Sequence, residues 1–197
     1  MHLDPTDVGA RLVAAAAEVF AERGYDRAGV AEIARRAGLT TGAIYSRFSG
    51  KAELLAEAID AHTSDELDEL FADHRFEGHM QDIIAVAGAH LVKRELREGQ
   101  ALLLEAFVAA RRDPQVAELL RARMEDRRAR LTEVIEAAKA DGGIDDEVDT
   151  EALVAFCHAV GFGFVMYEAV ELAVPQPAPW EQLITRLVDA VGPEKER

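Results

Sequence analysis

The sequence predicts an all-α protein in two parts. A three-helix head over residues 1–50, built on a helix-turn-helix, is joined by a long helix to a helical bundle body over residues 51–197. About nine helices are expected in all. Three observations carry this. Apolar residues make up 49% of the chain, with 14 Gly, 6 Pro and no period-2 runs of β-branched residues. Apolar positions recur at spacings of three and four along most of its length. Between Gly29 and Phe48 two short amphipathic stretches are separated by a Gly at the position where a tight turn needs one.

The first helix is expected to start with Asp4 as cap and Pro5 in its first turn, with Asp7 near its positive end. Leu12, Ala16 and Phe20 form its inner stripe, and Gly24 stops it. Val30, Ile33, Ala34 and Ala37 give the second helix its buried face, and Gly38 follows as a positive-φ residue. Leu39 fills the corner. Thr40 offers a hydroxyl cap to the third helix, whose inner face carries Ile44, with Phe48 four residues on.

A longer helix is expected from Lys51 to about His74. Leu54, Leu55, Ala58 and Ile59 face the head, whereas Leu67, Leu70 and Phe71 form a stripe shifted around the axis. One helix packed on two bodies makes a mechanical connection between them. Met80, Ile83, Ile84, Ala87 and Leu91 line the next helix. Ala101–Ala110 is apolar on nearly all sides apart from Glu105, which predicts a central, buried helix. Asp113-Pro114 caps and opens a long amphipathic helix that ends at Asp141-Gly142-Gly143. Its arginines 121, 123, 127, 128 and 130 stand among acids and read as a salt-bridged, solvated face.

Ala152 to Tyr167 carries no charge. That is short of the roughly 20 residues of a membrane span, so the run reads as a helix covered on both sides, one of them by something beyond its own body. Gly161 and Gly163 permit a close approach. After Pro175, Pro177 and Pro179, the residues Trp180, Leu183, Ile184, Leu187, Val188 and Val191 make a one-sided helix. Two apolar surfaces near the C-terminus read as a two-fold interface between copies, with Phe162, Val165, Trp180, Leu183, Ile184 and Leu187 as its candidates.

The outer face of the helix-turn-helix carries the chemistry. Thr40, Thr41, Gly42, Ala43, Tyr45, Ser46 and Arg47 are small, hydroxylic or basic, and no acid occurs from Gly38 to Lys51. Hydroxyls and Arg donate to phosphate oxygens, and an Ala or Thr methyl can touch a thymine methyl. Lys51 opens a helix whose unpaired N–H groups also suit a phosphate. Gly29, which opens this stretch just before the second helix, is the remaining member of the candidate DNA-binding set.

Residues 5–60 resemble the DNA-binding domain of the tetracycline-repressor (TetR) family of transcriptional regulators. The matching marks are Ala17–Tyr25 (Ala-Glu-Val-Phe-Ala-Glu-Arg-Gly-Tyr), Val30 to Gly38, then Gly42, Tyr45, Phe48, Lys51 and Glu53-Leu54-Leu55. Two positions depart from it: Ala28-Gly29 replace the usual Thr or Ser before Val30, and Gly50 the usual Ser or Asn before Lys51. The resemblance implies a homodimer on a double-stranded DNA operator, a four-helix arrangement at the interface, and a small apolar or amphipathic effector held in the body. Phe71, Ile84, Phe107, Met124, Phe156 and Phe164 are the candidates to line that pocket.

Net charge is −15, with residues 1–60 contributing −2 (7 basic, 9 acidic) and the rest −13 (15 basic, 28 acidic). The acidity lies outside the head, and duplex DNA needs only a local cationic face. One cysteine excludes an internal disulfide and suits a reducing cytoplasm; Met1-His2-Leu3-Asp4 has no leader character. Neither a Walker loop, a nucleophile elbow nor a metal-ligand spacing is present, and histidines 62, 74, 79, 90 and 158 do not pair at i, i+4. No cofactor, metal site or enzymatic activity is expected. The rival readings are a helical His/carboxylate enzyme and a helical dimerisation module with a degenerate head.

Overall fold

The computed structural model describes residues 7–62, 88 and 98–193. Among them are eight helices and no strand: α1 (Val8–Arg27), α2 (Val30–Arg36), α3 (Thr41–Tyr45), α4 (Lys51–His62), α5 (Glu98–Ala110), α6 (Pro114–Ala140), α7 (Thr150–Ala169) and α8 (Pro177–Ala190). The expected continuation to His74, the helix over Met80–Leu91 and the Asp4-Pro5 start all lie outside the described residues, Gly88 excepted, which is helical. Two compact units are present, Met1–Ser64 with Leu96–Met124, and Asp65–Glu95 with Glu125–Arg197.

In the first unit α1 packs on α2, α4 and α5. Leu12, Val19 and Phe20 of α1, Ile33 of α2, Ile44 of α3, Leu54 and Leu55 of α4 and Leu102 of α5 lose essentially all contact with solvent. Each such large side chain contributes about 1.5–3 kcal/mol by leaving water. α1 begins later than Asp4 and Pro5 suggest, because Asp7 is itself the extended cap residue (φ −74°, ψ 127°) and its carboxylate accepts from the Gly9 amide. Gly24 (φ 72°, ψ 159°) does not end α1 but kinks it, and a last turn runs on to Arg27. Gly38 (φ +66°) makes the turn of the helix-turn-helix, where Leu39 donates its amide to Ala34 O and Arg11 bonds Ala37 O at 2.5 Å.

α5 departs from the expectation of a helix buried all round. Leu102, Ala106 and Ala109 are buried, but Phe107 is 38% and Val108 53% exposed. Asp113 caps α6 through bonds from the Gln115 and Val116 amides, and Pro114 takes the first turn.

In the second unit Leu131, Ile135 and Ala138 of α6 pack with Ile144 and with Val154 of α7. α6 closes through Gly142 (φ +71°), beside which the Gly143 amide returns to Ala138 O. Its arginines pair as expected of a solvated face: Arg130 with Asp126 and Arg128 with Glu151 here, and Arg123 with Asp60 in the first unit. α7 starts at Asp149, whose carboxylate accepts from Ala152 N at 2.7 Å. By length and composition α7 could cross a membrane, yet only Val154 and Val165 of it are buried. α8 meets α7 through Trp180, set edge-on to Phe164 at 4.9 Å, and its indole N–H donates to Gly88 O at 2.7 Å.

Candidate nucleic-acid interface

α3 is a five-residue helix whose phase is fixed by one anchor. Ile44 is fully buried, and Phe48 beyond it is buried too, so Thr40, Thr41, Gly42, Tyr45, Ser46 and Arg47 face solvent, with Ala43 half-buried. Tyr45 is 60% exposed. Thr40 occupies the cap position, but its hydroxyl makes no capping bond and is left for another partner. Gly29 caps α2 in extended conformation without a side-chain bond, and a Cβ there would meet nothing within 4 Å.

The head's cations divide into two sets. Arg36 pairs with Glu22, Glu18 and Glu32, and Arg23 with Glu32, which clamps α2 to α1. The Arg36 bond holds the Glu22 carboxyl below the usual range. Among the described residues no acid lies within ion-pair reach of Arg27, Arg35 or Arg47, all exposed. Arg27 and Arg35 are not in the candidate set drawn from the sequence, because side-chain pairing, which spacing does not reveal, decides which cations are left without an acid partner.

Lys51 is half-buried at the start of α4. Its ammonium donates to Tyr25 O at 2.8 Å and lies 4.1 Å from the centre of the Tyr25 ring. Glu53 closes the same turn by accepting from the Ser49 amide at 2.5 Å, which lowers its own pKa.

The remaining candidates are dispersed. Phe71 and Ile84 lie outside the described residues. In the first unit Phe107 is exposed and Met124 half-buried; in the second, Phe156 is half exposed and Phe164 half-buried against Trp180. A narrow crevice in the first unit is lined by residues of α4, α5 and α6, among them Leu55, Ile59, Ala106, Leu120 and Arg123, and by none of those six. Of the interface candidates, Val165 and Ile184 are buried within the chain, Phe162 and Trp180 are half-buried, and Leu183 and Leu187 are 46% and 39% exposed.

Among the described residues no three His, Cys, Asp or Glu side chains are grouped to hold a metal ion. Burial raises the Cys157 thiol pKa, away from a reactive thiolate. His158 carries a buried Nε2 without a partner, and its pKa is lowered by burial first and by Arg127 and Arg128 second. The folded state therefore binds this proton less readily than the unfolded chain. Stability should be unaffected above the unfolded value of about 6.5, fall as the pH drops through it, and level off below the lowered folded value. Thermal melts at pH 7.5 and 5.5 should separate for the parent and converge for His158→Gln. Equal separation in both would remove His158 as the cause.

Two family models cover most of the chain: "Bacterial regulatory proteins, tetR family" over residues 12–58, and "Tetracyclin repressor-like, C-terminal domain" over residues 77–191, more than half of it. The transcriptional activator FasR of Mycolicibacterium smegmatis is 46% identical over 52 residues, covering 26% of this chain and 24% of the relative. The DNA-binding transcriptional repressor TetR of Mycobacteroides abscessus is 39% identical over 79 residues, 40% of each. The matches span less than half the length of these curated relatives. Among solved structures, Salmonella enterica GusR superposes with a TM-score of 0.72 at 23% identity, over 92% of this chain and 95% of that one, a likeness of fold.

Proposed function

From the premise that the chain belongs to the TetR family of bacterial DNA-binding transcriptional regulators, we propose that it is a homodimeric repressor, released from its operator by a small apolar or amphipathic effector. The observation that carries the DNA reading is the outward face of α3, anchored by Ile44, free of acids and edged by Arg47, which has no ion-pair partner among the described residues. In this reading Thr41 and its neighbours meet base edges, Tyr45, Arg47 and Lys51 meet phosphates, and two heads read successive major grooves of a near-palindrome.

The dimer rests on α7 and α8. Phe156, Met166, Tyr167, Leu183 and Leu187 remain exposed in a chain that has to stay in solution in the cytoplasm. Acids at 145–147 and 149 precede α7, and Glu151 and Glu168 lie within it, which favours a second protein copy over lipid as its cover. An effector acts only through different affinities for the two conformers, and DNA then weakens effector binding by the same factor. A dimerisation module with a degenerate head would have no use for an acid-free, hydroxyl-rich face on α3.

The test is a mobility-shift titration with the DNA upstream of the chain's own reading frame. One saturable, competitor-resistant shift is expected, together with increased reporter expression from that DNA when the gene is deleted. A shift abolished by unrelated competitor, or expression that falls on deletion, would overturn specific binding and repression respectively.

A further inference from the structure

Four elements of the first unit meet at one side chain. The positive φ at Gly24 takes the Tyr25 amide out of the α1 ladder, and Glu105 of α5 accepts it at 3.0 Å. The backbone angle calls for glycine at position 24, where a Cβ would also stand 3.2 Å from that carboxylate oxygen. The Tyr25 ring, 4% exposed, stacks on Phe20 at 5.8 Å. Its hydroxyl donates to Asp113 at 2.7 Å, and the other oxygen of that carboxylate caps α6. Lys51 of α4 places its ammonium on the Tyr25 carbonyl and over the ring.

We propose that Tyr25 is a positioning residue for DNA binding: it holds the Lys51 ammonium ready for a backbone phosphate, and its hydroxyl ties that ammonium to the α5–α6 corner. The inference rests on the reading that the head binds DNA. An unrestrained lysine gives up several rotatable bonds when it meets a phosphate. Lys51 has already given them up to the carbonyl and ring of Tyr25. An ammonium has three donors, and the Tyr25 carbonyl takes one, so two remain. Because Asp113 both caps α6 and anchors the ring, a displacement of the α6 start reaches Lys51 without passing along α4.

The test uses the full-length protein and a fluorescein-labelled mixed-sequence duplex, titrated from about 50 to 200 mM salt. Lys51→Met should weaken binding about tenfold and lower the salt slope by about 0.9 per head. Tyr25→Leu keeps the backbone carbonyl but removes the ring beneath the ammonium, so it should weaken binding about threefold with the slope unchanged, the charge being retained but less firmly preset. Tyr25→Phe, which keeps the ring and loses only the hydroxyl bond to Asp113, should bind as the parent while melting earlier. In the Lys51→Met background, Tyr25→Leu should have no further effect.

An equal threefold loss in both backgrounds would mean that Tyr25 acts through the fold alone, and the proposal falls while the DNA reading stands. Parent-like binding by Lys51→Met would remove the phosphate contact itself, and absence of any duplex binding would sink the DNA reading. Should Tyr25→Leu not fold, NMR of the parent decides. The Lys51 ε-methylene protons should be shifted upfield by the ring and stay so on adding duplex; a return to the random-coil position would overturn the proposal.

Discussion

Leu187→Glu should convert the protein from dimer to monomer. In a two-fold interface each residue is used twice, so one substitution removes two leucines and introduces two carboxylates. The protomer leaves about two-fifths of each leucine exposed, so failing to bury that part forfeits about 1–2 kcal/mol for the pair, or about tenfold in self-association, and the two unpaired carboxylates set into an apolar surface weaken it further. Leu187 suits this test because it is 39% exposed within the chain, so its loss costs the protomer little packing. Ile184, 9% exposed and seated against Gly88, would confound the two effects. Light scattering should read the monomer mass while circular dichroism retains the parental helix content. DNA affinity should then drop to that of one half-site. A dimer that survives Leu187→Glu would place the interface away from α8.

What the sequence disclosed is what short-range chemistry decides. Asp113-Pro114 could be recognised as a helix start because cap, first turn and acceptor lie within three residues, and the bonds from Gln115 and Val116 follow. Gly38 was legible for the same reason, since a turn between two apolar stripes leaves one position for positive φ. At the N-terminus the same reasoning had two acids to choose from, and local pattern does not rank Asp7 above Asp4. For α5 the sequence is apolar all round, so nothing local says that Phe107 and Val108 stay outside. The outward face of α3 was readable because Ile44 and Phe48 set its phase. The junction at Tyr25 was not, because its partners Glu105 and Asp113 lie 80 and 88 residues away and periodicity carries no information at that range. Gly24-Tyr25 was visible as a motif; what it grips was not.

Arg47→Ala and Tyr45→Ala should both weaken operator binding, and salt should tell them apart. Arg47 is a charged donor without an acid partner among the described residues, so a contact from it to a phosphate would displace counterions from DNA. Its removal should lower the dependence of log K on log salt by about 0.9 per head, or about 1.8 for a dimer. Tyr45 offers a neutral hydroxyl from a side chain 60% exposed, so its removal should cost affinity at every salt concentration and leave the slope as it was. Both losses should be equal on operator and unrelated duplex, because phosphates carry no sequence. Thr41→Ala should do the reverse, losing about 1 kcal/mol of discrimination at particular base pairs with little change on unrelated DNA. In the double variant Tyr45→Ala, Arg47→Ala the losses multiply across two heads, so operator binding should fall by about a hundredfold or more at physiological salt. Ile44 and Phe48 are untouched, so the melting temperature should hold. A slope unchanged by Arg47→Ala would mean that this face of α3 does not lie against the DNA backbone, and the docking of the head would have to be redrawn around Arg27 and Arg35.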